Sequence, residues 1–353
     1  MRLRLLADDL TGALDTAAAF SGDGAVPVFL SCPDTIPEGG AALDLACREG
    51  SEAAAIEATV AASPFLVGAD IAYLKIDSLL RGHWAAMLTA LWRGGTFRNC
   101  VLAPAFPDLG RVTRGGRQMI RDATGAWQPA SIDPRAALAT RGVNGIIVRD
   151  AASDVDLRTI VAEGRTLFGP VLWCGTAGLA AALANSSTPA APRLLMPTLA
   201  VIGSHHAATL AQLRFLSETT GLSPRRLRGT AEDAALVSAD LRRGACLLQA
   251  EIATGAAQDA AAARIADILR AVLPRLAPPA TVIATGGETL RAICETLAVE
   301  RLEVEGIFAP GVPCSRLVGG AWDGRRVVSK SGAFGAPDLL ARLFARLTDF
   351  DKN

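Results

Sequence analysis

The sequence predicts an α/β protein made of two domains, each built on a largely parallel sheet. Apolar runs of strand length alternate with longer Ala- and Leu-rich stretches of helical periodicity, which is the pattern of parallel strands covered by helices. The chain has 353 residues, half of them hydrophobic, and a length of this order favours roughly two domains. A segment with three prolines near the middle interrupts both periodicities and marks the expected linker.

The first half alternates short apolar strands with helices, and its polar motifs fall where strands end. This placement matters because ligands of open α/β sheets bind beyond the carboxyl ends of the strands. A helix is expected at 15–20, after a turn at Thr11 and Gly12, and another at 84–92. The predicted strands are 3–7, 26–30, 73–76, 100–103, 145–148 and 171–173.

The second half repeats this alternation after the Pro-rich segment 185–197. We therefore expect a first domain over 1–190 and a second over 198–353. The predicted strands are 199–203, 246–250, 281–284 and 326–329, and the predicted helices begin at 207 or span 258–276 and 288–297.

Charge and composition argue against several classes of partner. The formal net charge is zero and the basic residues are dispersed, so no nucleic acid is expected to bind. No long uncharged run indicates a membrane span, and the N-terminal residues reach Asp8 before a signal-peptide core is complete. We expect a cytoplasmic protein. Its seven cysteines lack any Cys-x-x-Cys spacing and are predicted to be buried, reduced thiols.

The first candidate site motif is Ala-Asp-Asp-Leu-Thr-Gly-Ala at 7–13, which follows a buried strand. Carboxylates at the carboxyl end of a strand can bind substrate hydroxyls, hold a metal or accept a proton. The candidates are Asp8, Asp9 and Thr11. The alternative is that Asp9 or Thr11 only caps the following helix, although a cap uses one side chain and would not explain both aspartates.

A second motif, Lys-Ile-Asp-Ser-Leu-Leu-Arg-Gly at 75–82, also follows a strand. Lys75 and Arg81 could clamp a carboxylate, Arg with a bidentate fork and Lys with a compact charge. Asp77 and Ser78 could bind hydroxyls. The alternative is a surface network of Lys, Asp and Arg in which Asp77 or Ser78 caps the next helix.

Glycine turns follow two strands of the second half. The turn at 284–289 precedes a helix, so its backbone N–H groups could bind an anion. Alternatively, Thr285 only caps that helix and Glu288 complements its dipole. The turn at 330–335 adds a lysine and a serine, and two such turns in one domain favour a nucleotide. The candidate nucleotide-binding residues are Ser204, Gly286, Gly287, Glu288, Thr289, Lys330, Ser331, Gly332 and Gly335.

Together these motifs resemble the four-carbon acid sugar kinase family, once described as a domain of unknown function. Its members phosphorylate threonate, erythronate or 3-oxo-tetronate-like acids with ATP, using an N-terminal sugar-acid-binding domain and a C-terminal nucleotide-binding domain. The resemblance runs through nearly the whole chain. The matching segments are 7–13, 75–82, 103–111 and 175–178 in the first half, and 285–289, 311–313 and 330–335 in the second.

The resemblance implies an ATP-dependent sugar-acid kinase of carbohydrate metabolism, with its active site in the cleft between the domains. It also implies Mg²⁺, held through the ATP phosphates. Asp9 or Asp77 would accept the substrate proton. The sugar acid would be held by Asp8, Asp9, Thr11, Lys75, Asp77, Ser78 and Arg81.

The sequence departs from the family at two motifs. Where the family has Gly-Ser-x-Ser, the segment 203–206 reads Gly-Ser-His-His, so only Ser204 matches, and His83 stands where the family usually has Asn. Two other functions therefore stay open. One is a nucleotide- or metabolite-binding regulator that has lost catalysis, and the other is an aldolase- or isomerase-like enzyme that uses Lys75. The number of copies is not fixed by the sequence, and a homo-oligomer is compatible with it.

Overall fold

The computed structural model describes residues 1–122, 124–130, 132–184, 188–251 and 257–348. The chain divides into two compact units, Met1–Thr188 and Pro189–Asn353. Residues 185–187, at the start of the predicted linker, lie outside the described residues. The domain limits at 190 and 198 stay a prediction.

The first unit is built on a parallel sheet. Its strands are β1 (Leu3–Ala7), β2 (Val26–Phe29), β3 (Ala41–Asp44), β4 (Ile71–Lys75), β5 (Asn99–Ala103), β6 (Arg111–Arg114), β7 (Arg117–Arg121), β8 (Trp127–Pro129), β9 (Ile146–Val148) and β10 (Val171–Gly175). Seven of them lie in the order β2-β3-β1-β4-β10-β5-β9, and every neighbouring pair is parallel. The other three, β6 to β8, form a small antiparallel sheet.

Helices cover the parallel sheet of the first unit. They are α1 (Leu10–Ala18), α2 (Glu52–Ala62), α3 (Trp84–Arg93), α4 (Pro134–Ala139), α5 (Asp154–Arg165) and α6 (Ala177–Ala184). The strands β1 and β4 are buried along their whole length, as expected for parallel strands with helices on the faces of the sheet. Trp84, Met87 and Leu88 of α3 join one core cluster with Leu74 of β4.

The second unit has a mixed sheet that is mostly parallel. Its strands are β11 (Leu194–Leu195), β12 (Thr198–Ile202), β13 (Arg225–Leu227), β14 (Ala245–Ala250), β15 (Thr281–Thr285), β16 (Arg301–Ala309), β17 (Val312–Val318), β18 (Arg326–Lys330) and β19 (Leu347–Thr348). The order is β13-β14-β12-β15-β18-β17-β16, parallel as far as β18, with β17 antiparallel to both neighbours. The helices are α7 (Ala207–Thr220), α8 (Ala231–Leu241), α9 (Gln258–Val272), α10 (Gly287–Thr296) and α11 (Leu339–Ala345).

The predicted α/β class with largely parallel sheets is confirmed, and several local predictions are wrong. Helix α1 begins at Leu10 rather than at 15, so Thr11 and Gly12 lie in its first turn. The strand β3, with sequence Ala-Ala-Leu-Asp, was not predicted, because alanine and aspartate are poor strand formers. Pairing with β1 on one side and β2 on the other overrides this low strand propensity. Cys32 is exposed, whereas the other six cysteines are buried free thiols as predicted. In the described ranges, no helix is long and apolar enough to cross a membrane.

Candidate active site

The carboxyl ends of adjacent parallel strands bring the predicted substrate motifs to one edge of the first sheet. Ala7 at the end of β1 is paired with Asp44 on β3 and with Lys75 on β4. Lys75 is in turn paired with Gly175 on β10. The loops that follow these residues therefore leave the sheet at the same level. Two of them carry predicted motifs, and the loop after β3 carries a residue that the sequence reasoning missed.

Asp9 caps helix α1 and also takes part in the polar cluster at this edge. Its Oδ1 accepts a hydrogen bond from the Gly12 N–H at 3.0 Å, and its Oδ2 accepts one from the Thr11 hydroxyl at 2.6 Å. The Asp9 side chain keeps 18% of its surface exposed, so capping leaves it able to contact a ligand. The capping alternative is thus confirmed for Asp9 without excluding a second role.

Arg48 joins the carboxylates of this edge. Its guanidinium donates to both oxygens of Asp8, at 2.9 and 2.6 Å, and to Oδ1 of Asp9 at 2.6 Å. It also lies 3.8 Å from Asp77. No sequence signal marked Arg48, because it follows β3, a strand that the sequence did not predict. In the structure Arg48 lies beyond the end of β3 as the two recognised motifs lie beyond β1 and β4.

The neighbouring motif holds the loop that carries Arg48 in place. A Cβ on Gly82 would lie 2.9 Å from Arg48 Cγ, so glycine is required for this approach. His83 Nε2 hydrogen-bonds the Gly50 carbonyl at 2.7 Å. His83, one of the two family departures, therefore acts on the loop of Arg48 and does not cap α3, for which its side chain makes no capping hydrogen bond.

Asp8 has no exposed side-chain surface. Burial raises the pKa of Asp8, and the positive charge of Arg48 opposes that rise. A fully buried carboxylate whose two oxygens both bind Arg48 does not contact a substrate in this conformation. The structure therefore favours a positioning role for Asp8 over the predicted hydroxyl binding.

Asp77 and Arg81 form a bidentate ion pair. Arg81 Nε and Nη2 donate to the two Asp77 oxygens at 2.8 and 2.9 Å, and the Leu79 N–H donates to Oδ2 at 3.1 Å. Burial alone would raise the pKa of Asp77, but the hydrogen bonds from Arg81 and the charge of Arg48 outweigh it and hold the pKa well below its usual range. The Asp–Arg pair of the network alternative is thus confirmed, and Arg81 is not an open clamp. The rest of that alternative is wrong, because Asp77 and Ser78 are buried and neither caps α3, whose N-cap residue is His83.

Lys75 is a buried cation that faces Asp9 across Gly12. The residue is 5% exposed, and a Cβ on Gly12 would lie 2.6 Å from its Nζ and would overlap Asp9 Oδ1. Among the described residues, none accepts a hydrogen bond from the Lys75 ammonium or pairs with it within 4.0 Å. Burial would raise the pKa of Asp9, but the charges of Arg48 and Lys75 lower it overall. An ammonium held in this way is suited to bind the carboxylate of a ligand.

Gln118 ties the Pro-rich loop after β5 to the same edge. Its buried amide donates to the carbonyls of Ser78 at 3.1 Å and Pro104 at 3.2 Å. Ser78 itself is 6% exposed. Burial lowers the pKa of the Arg111 guanidinium, and the charge of Asp77 opposes this decrease. Arg111 therefore lies near the Asp77 carboxylate. The loop 103–111 thus belongs to the polar cluster.

In the second unit, three turns begin at the carboxyl ends of adjacent parallel strands. Ile202, Thr285 and Lys330 are paired across β12, β15 and β18, so the turns after them leave the sheet at one level. The helices α7 and α10 begin after the first two turns. Their N-terminal N–H groups and the positive ends of their dipoles therefore lie at this edge, where an anion would be stabilised.

Glycine is required where these turns touch. A Cβ on Gly203 would overlap the Thr289 hydroxyl, and a Cβ on Gly332 would overlap the Ser204 hydroxyl. Gly286 has a φ of 102°, which an L side chain rarely adopts. Gly286 is the N-cap of α10, and no side chain caps that helix, so the alternative of a Thr285 cap is wrong. The structure brings Ser204, Gly286, Gly287, Thr289, Lys330, Ser331 and Gly332 together, with Glu288 exposed on the first turn of α10 and Gly335 beside Leu339.

Lys330 is a buried cation at this second edge. It is 1% exposed, and its Nζ donates to the Thr209 hydroxyl at 3.1 Å. The Thr209 hydroxyl donates in turn to the Gly332 carbonyl at 2.8 Å. Burial lowers the pKa of Lys330 from 10.5 to about 8. No carboxylate of the described residues forms an ion pair with it, which leaves this buried charge to be balanced by an anionic ligand.

Several buried polar atoms near this edge lack a hydrogen-bond partner in the described part of the chain. They are Thr285 Oγ1, Ser329 Oγ and Gln212 Oε1. Buried polar groups in proteins are nearly always hydrogen-bonded, so these atoms are consistent with a bound ligand or water. Together with two helix N-termini, a lysine and the glycine turns, they fit the donors and acceptors that a nucleotide requires.

Within the described ranges, no group of three or more His, Cys, Asp and Glu side chains is placed to hold a metal ion.

The two halves match the two domains of a known family. A model described as a sugar-binding N-terminal domain matches residues 3–136, and one described as a nucleotide-binding C-terminal domain matches residues 199–340. The D-threonate kinase of Cupriavidus necator is 30% identical to this chain, over 98% of each protein. The D-erythronate kinase of Heliobacterium modesticaldum is 26% identical, over 95% of this chain and 94% of that protein.

A solved structure shares the fold. The crystal structure of a Haemophilus influenzae protein described by the family model DUF1537 superposes with a TM-score of 0.67 at 18% identity, covering 97% of this chain and 99% of that one. At this level of identity the likeness concerns the fold alone.

Proposed function

Because the chain belongs to the four-carbon acid sugar kinase family, we propose that it transfers the terminal phosphoryl group of ATP to a hydroxyl of a four-carbon sugar acid. The observation that carries the proposal is the buried Lys75 ammonium, which has no carboxylate bound to it within the described residues of the sugar-binding domain. The carboxylate of a sugar acid supplies the negative charge that Lys75 lacks, and its hydroxyls form hydrogen bonds with the polar groups of the site.

The charges at the sugar-binding edge support an anionic substrate. Arg48 is bound by Asp8 and Asp9, and Arg81 is bound by Asp77. Within the described residues, Lys75 is a cation of this edge with which none of these carboxylates pairs. In the proposal, Lys75 binds the substrate carboxylate. Thr11, Ser78 and the Asp9 carboxylate, which can accept further hydrogen bonds, bind the substrate hydroxyls.

Asp9 is the better candidate for the group that accepts the substrate proton. The oxygens of Asp77 already accept four hydrogen bonds, three of them from Arg81, and its pKa is held well below the usual range by these contacts despite burial. Asp9 accepts fewer hydrogen bonds and keeps more exposed surface. In phosphoryl transfer most of the rate comes from positioning and charge neutralisation, so a weak base at this position is sufficient.

The nucleotide-binding domain supplies the groups that would hold ATP. When bound, MgATP contributes the phosphoryl group, and its Mg²⁺ neutralises the phosphate charge. Lys330 and the backbone N–H groups at the start of α7 and α10 would bind phosphate oxygens. Gly286 has a φ of 102°, which an L side chain rarely adopts, and a Cβ on Gly332 would overlap the Ser204 hydroxyl. Glycine at these two positions leaves the backbone open to close approach by the phosphates.

The proposal is tested by an ADP-release assay over four-carbon and five-carbon sugar acids, with and without Mg²⁺. We expect ADP release that depends on Mg²⁺ and on a four-carbon acid such as D-threonate or D-erythronate. The matched controls are Lys75→Met, which should abolish release while ATP still binds, and Lys330→Met, which should weaken ATP binding itself.

Each alternative gives a different result in the same assay. No ADP release with any acid would refute the kinase proposal. ATP binding without release would favour a regulator that has lost catalysis. A Schiff base trapped on Lys75 by borohydride would favour an aldolase-like enzyme, because that chemistry requires a covalent bond to the lysine.

A further inference from the structure

The small antiparallel sheet of β6, β7 and β8 brings one buried polar side chain into the sugar-binding domain. Gln118 is the buried residue of β7, with 1% of its surface exposed. The backbone holds the sheet in place at two points. The N–H groups of Phe106 and Arg111 each donate to the other's carbonyl, at 2.8 and 3.1 Å. The Thr113 N–H donates to the Ala151 carbonyl at 2.8 Å, so Gln118 reaches the polar cluster from a fixed support.

The hydrogen bonds of the Gln118 amide fix its orientation. Its Nε2 donates to the carbonyls of Ser78 at 3.1 Å and Pro104 at 3.2 Å. Its Oε1 accepts a hydrogen bond from the Thr113 hydroxyl at 2.8 Å, and Thr113 lies opposite Gln118 in the β6–β7 pair. A flipped amide would place its oxygen against two carbonyl oxygens. The hydroxyl and the two carbonyls therefore favour the same arrangement.

The two carbonyls belong to loops that follow strands which are not neighbours. Ser78 follows β4 and Pro104 follows β5, and β10 lies between these strands in the sheet. Strands two positions apart in a sheet are separated by roughly 10 Å, so β4 and β5 share no ladder hydrogen bonds. Gln118 joins the loops 75–82 and 103–111 directly, across the end of β10.

The joined loops carry polar groups of the sugar-binding edge. Ser78 is assigned above to the substrate hydroxyls, and Arg111, at the end of the second loop, lies near the Asp77 carboxylate. Gln118 itself is almost fully buried, so it does not contact a ligand in this conformation. Any effect of Gln118 on a substrate therefore passes through the two loops.

We propose that Gln118 is a positioning residue for the sugar acid: it sets the separation of loops 75–82 and 103–111, and so the affinity for the acid, without contacting it. The inference rests on the proposed function, because it concerns the same sugar-binding edge. Without the amide, two buried carbonyls would lose their hydrogen-bond donor, and the loops would move to reach water or other donors. A displacement of about 1 Å in a substrate-positioning group can lower a rate by about a hundredfold.

The test compares Gln118→Met with the matched control Gln128→Met, because methionine resembles glutamine in length but has no amide. Gln128 lies on β8 of the same small sheet and is exposed, and among the described residues its side chain bonds only Asp122. For Gln118→Met we expect the KM for D-threonate or D-erythronate, whichever wild type uses, to rise about tenfold or more. ATP affinity in calorimetric titrations should stay unchanged, because Gln118 lies in the sugar-binding domain. Gln128→Met should match wild type in both measurements.

The orientation of the amide is tested at Thr113. Thr113→Val has nearly the same shape and lacks the hydroxyl, so Gln118 Oε1 loses its donor and the amide is free to rotate. We expect the KM for the acid to rise about threefold in Thr113→Val. Thr113→Ser retains the hydroxyl and should restore the wild-type KM. These two variants test the inference even if Gln118→Met does not fold.

Two results would overturn the inference. One is a Gln118→Met protein that is folded by circular dichroism and whose KM for the acid equals that of wild type, and the other is an equal loss of acid and ATP affinity, which indicates general destabilisation. Equal KM values in Thr113→Val and Thr113→Ser would also contradict it. If wild type releases no ADP, the proposed function fails, and calorimetric titration with the acid alone still compares Gln118→Met with wild type. Absence of acid binding to wild type would refute both proposals.

Discussion

Replacing Lys330 by methionine should make the protein more stable and less able to bind nucleotide. Lys330 is 1% exposed and its pKa is lowered by burial from 10.5 to about 8, a difference that corresponds to about 3 kcal/mol of folding free energy lost at pH 7. Methionine removes this penalty, fills a similar volume and loses one hydrogen bond to Thr209, which is worth about 1.5 kcal/mol. The expected net gain is about 1–2 kcal/mol.

The pH dependence of this gain gives the assay its discriminating power. Between pH 8 and pH 10.5 the unfolded wild-type chain binds more protons at Lys330 than the folded chain does, so wild-type stability rises with pH in that window. The variant has no such group. Its Tm should exceed that of wild type by about 2–8 °C at pH 7, and the difference should disappear by about pH 9.5. Thermal denaturation followed by circular dichroism at both pH values measures this.

Nucleotide binding should change in the opposite direction. Removing one partner of a buried charge pair costs about 2–5 kcal/mol of binding free energy, so ATP affinity should fall about thirtyfold or more in calorimetric titrations. Lys75→Met, which removes the buried lysine of the sugar-binding domain, should leave ATP affinity unchanged. A Lys330→Met protein that is less stable than wild type at pH 7, with a difference that does not vary with pH, would refute the reasoning.

Three further predictions concern the polar clusters. Asp77→Asn should lower turnover far more than it lowers ATP affinity, because it breaks the ion pair with Arg81 at the sugar-binding edge, and unchanged turnover in steady-state assays would show that this pair does not position the substrate site. Arg48→Met should destabilise the protein by about 3–5 kcal/mol in urea denaturation, because it leaves the buried Asp8 carboxylate unpaired, and a loss below 1 kcal/mol would contradict the role given to Arg48. Gly203→Ala should weaken ATP binding and cost about 1–3 kcal/mol of stability, because its Cβ overlaps the Thr289 hydroxyl; Gly39→Ala, at a glycine that also has an ordinary φ and whose Cβ would meet no neighbouring atom, is the matched control, and equal ATP affinity in the two variants would contradict the clash.

The local pattern was sufficient to place the motifs but not to assign their contacts. The segments 7–13 and 75–82 could be located at strand ends because apolar strands and their polar ends are visible in the sequence. The partner of Asp77 was not visible: Arg81 could equally have clamped a ligand, and only the side-chain geometry shows it bound to Asp77. An open clamp and an ion pair would use the same residues, and they differ only in the rotamer of the Arg81 side chain.

The sequence by itself determined the α/β class, the glycine turns and the positions of the charged motifs, since these depend on periodicity and on residue type. Only the tertiary structure decided that Arg48, about forty positions from Asp8, joins the carboxylates, and that Lys330 is buried without a carboxylate partner among the described residues. The physical reason is that neighbours in a parallel sheet are separated by whole helices along the chain. Their register, which sets these contacts and the desolvation of each charge, is fixed by packing over the entire domain.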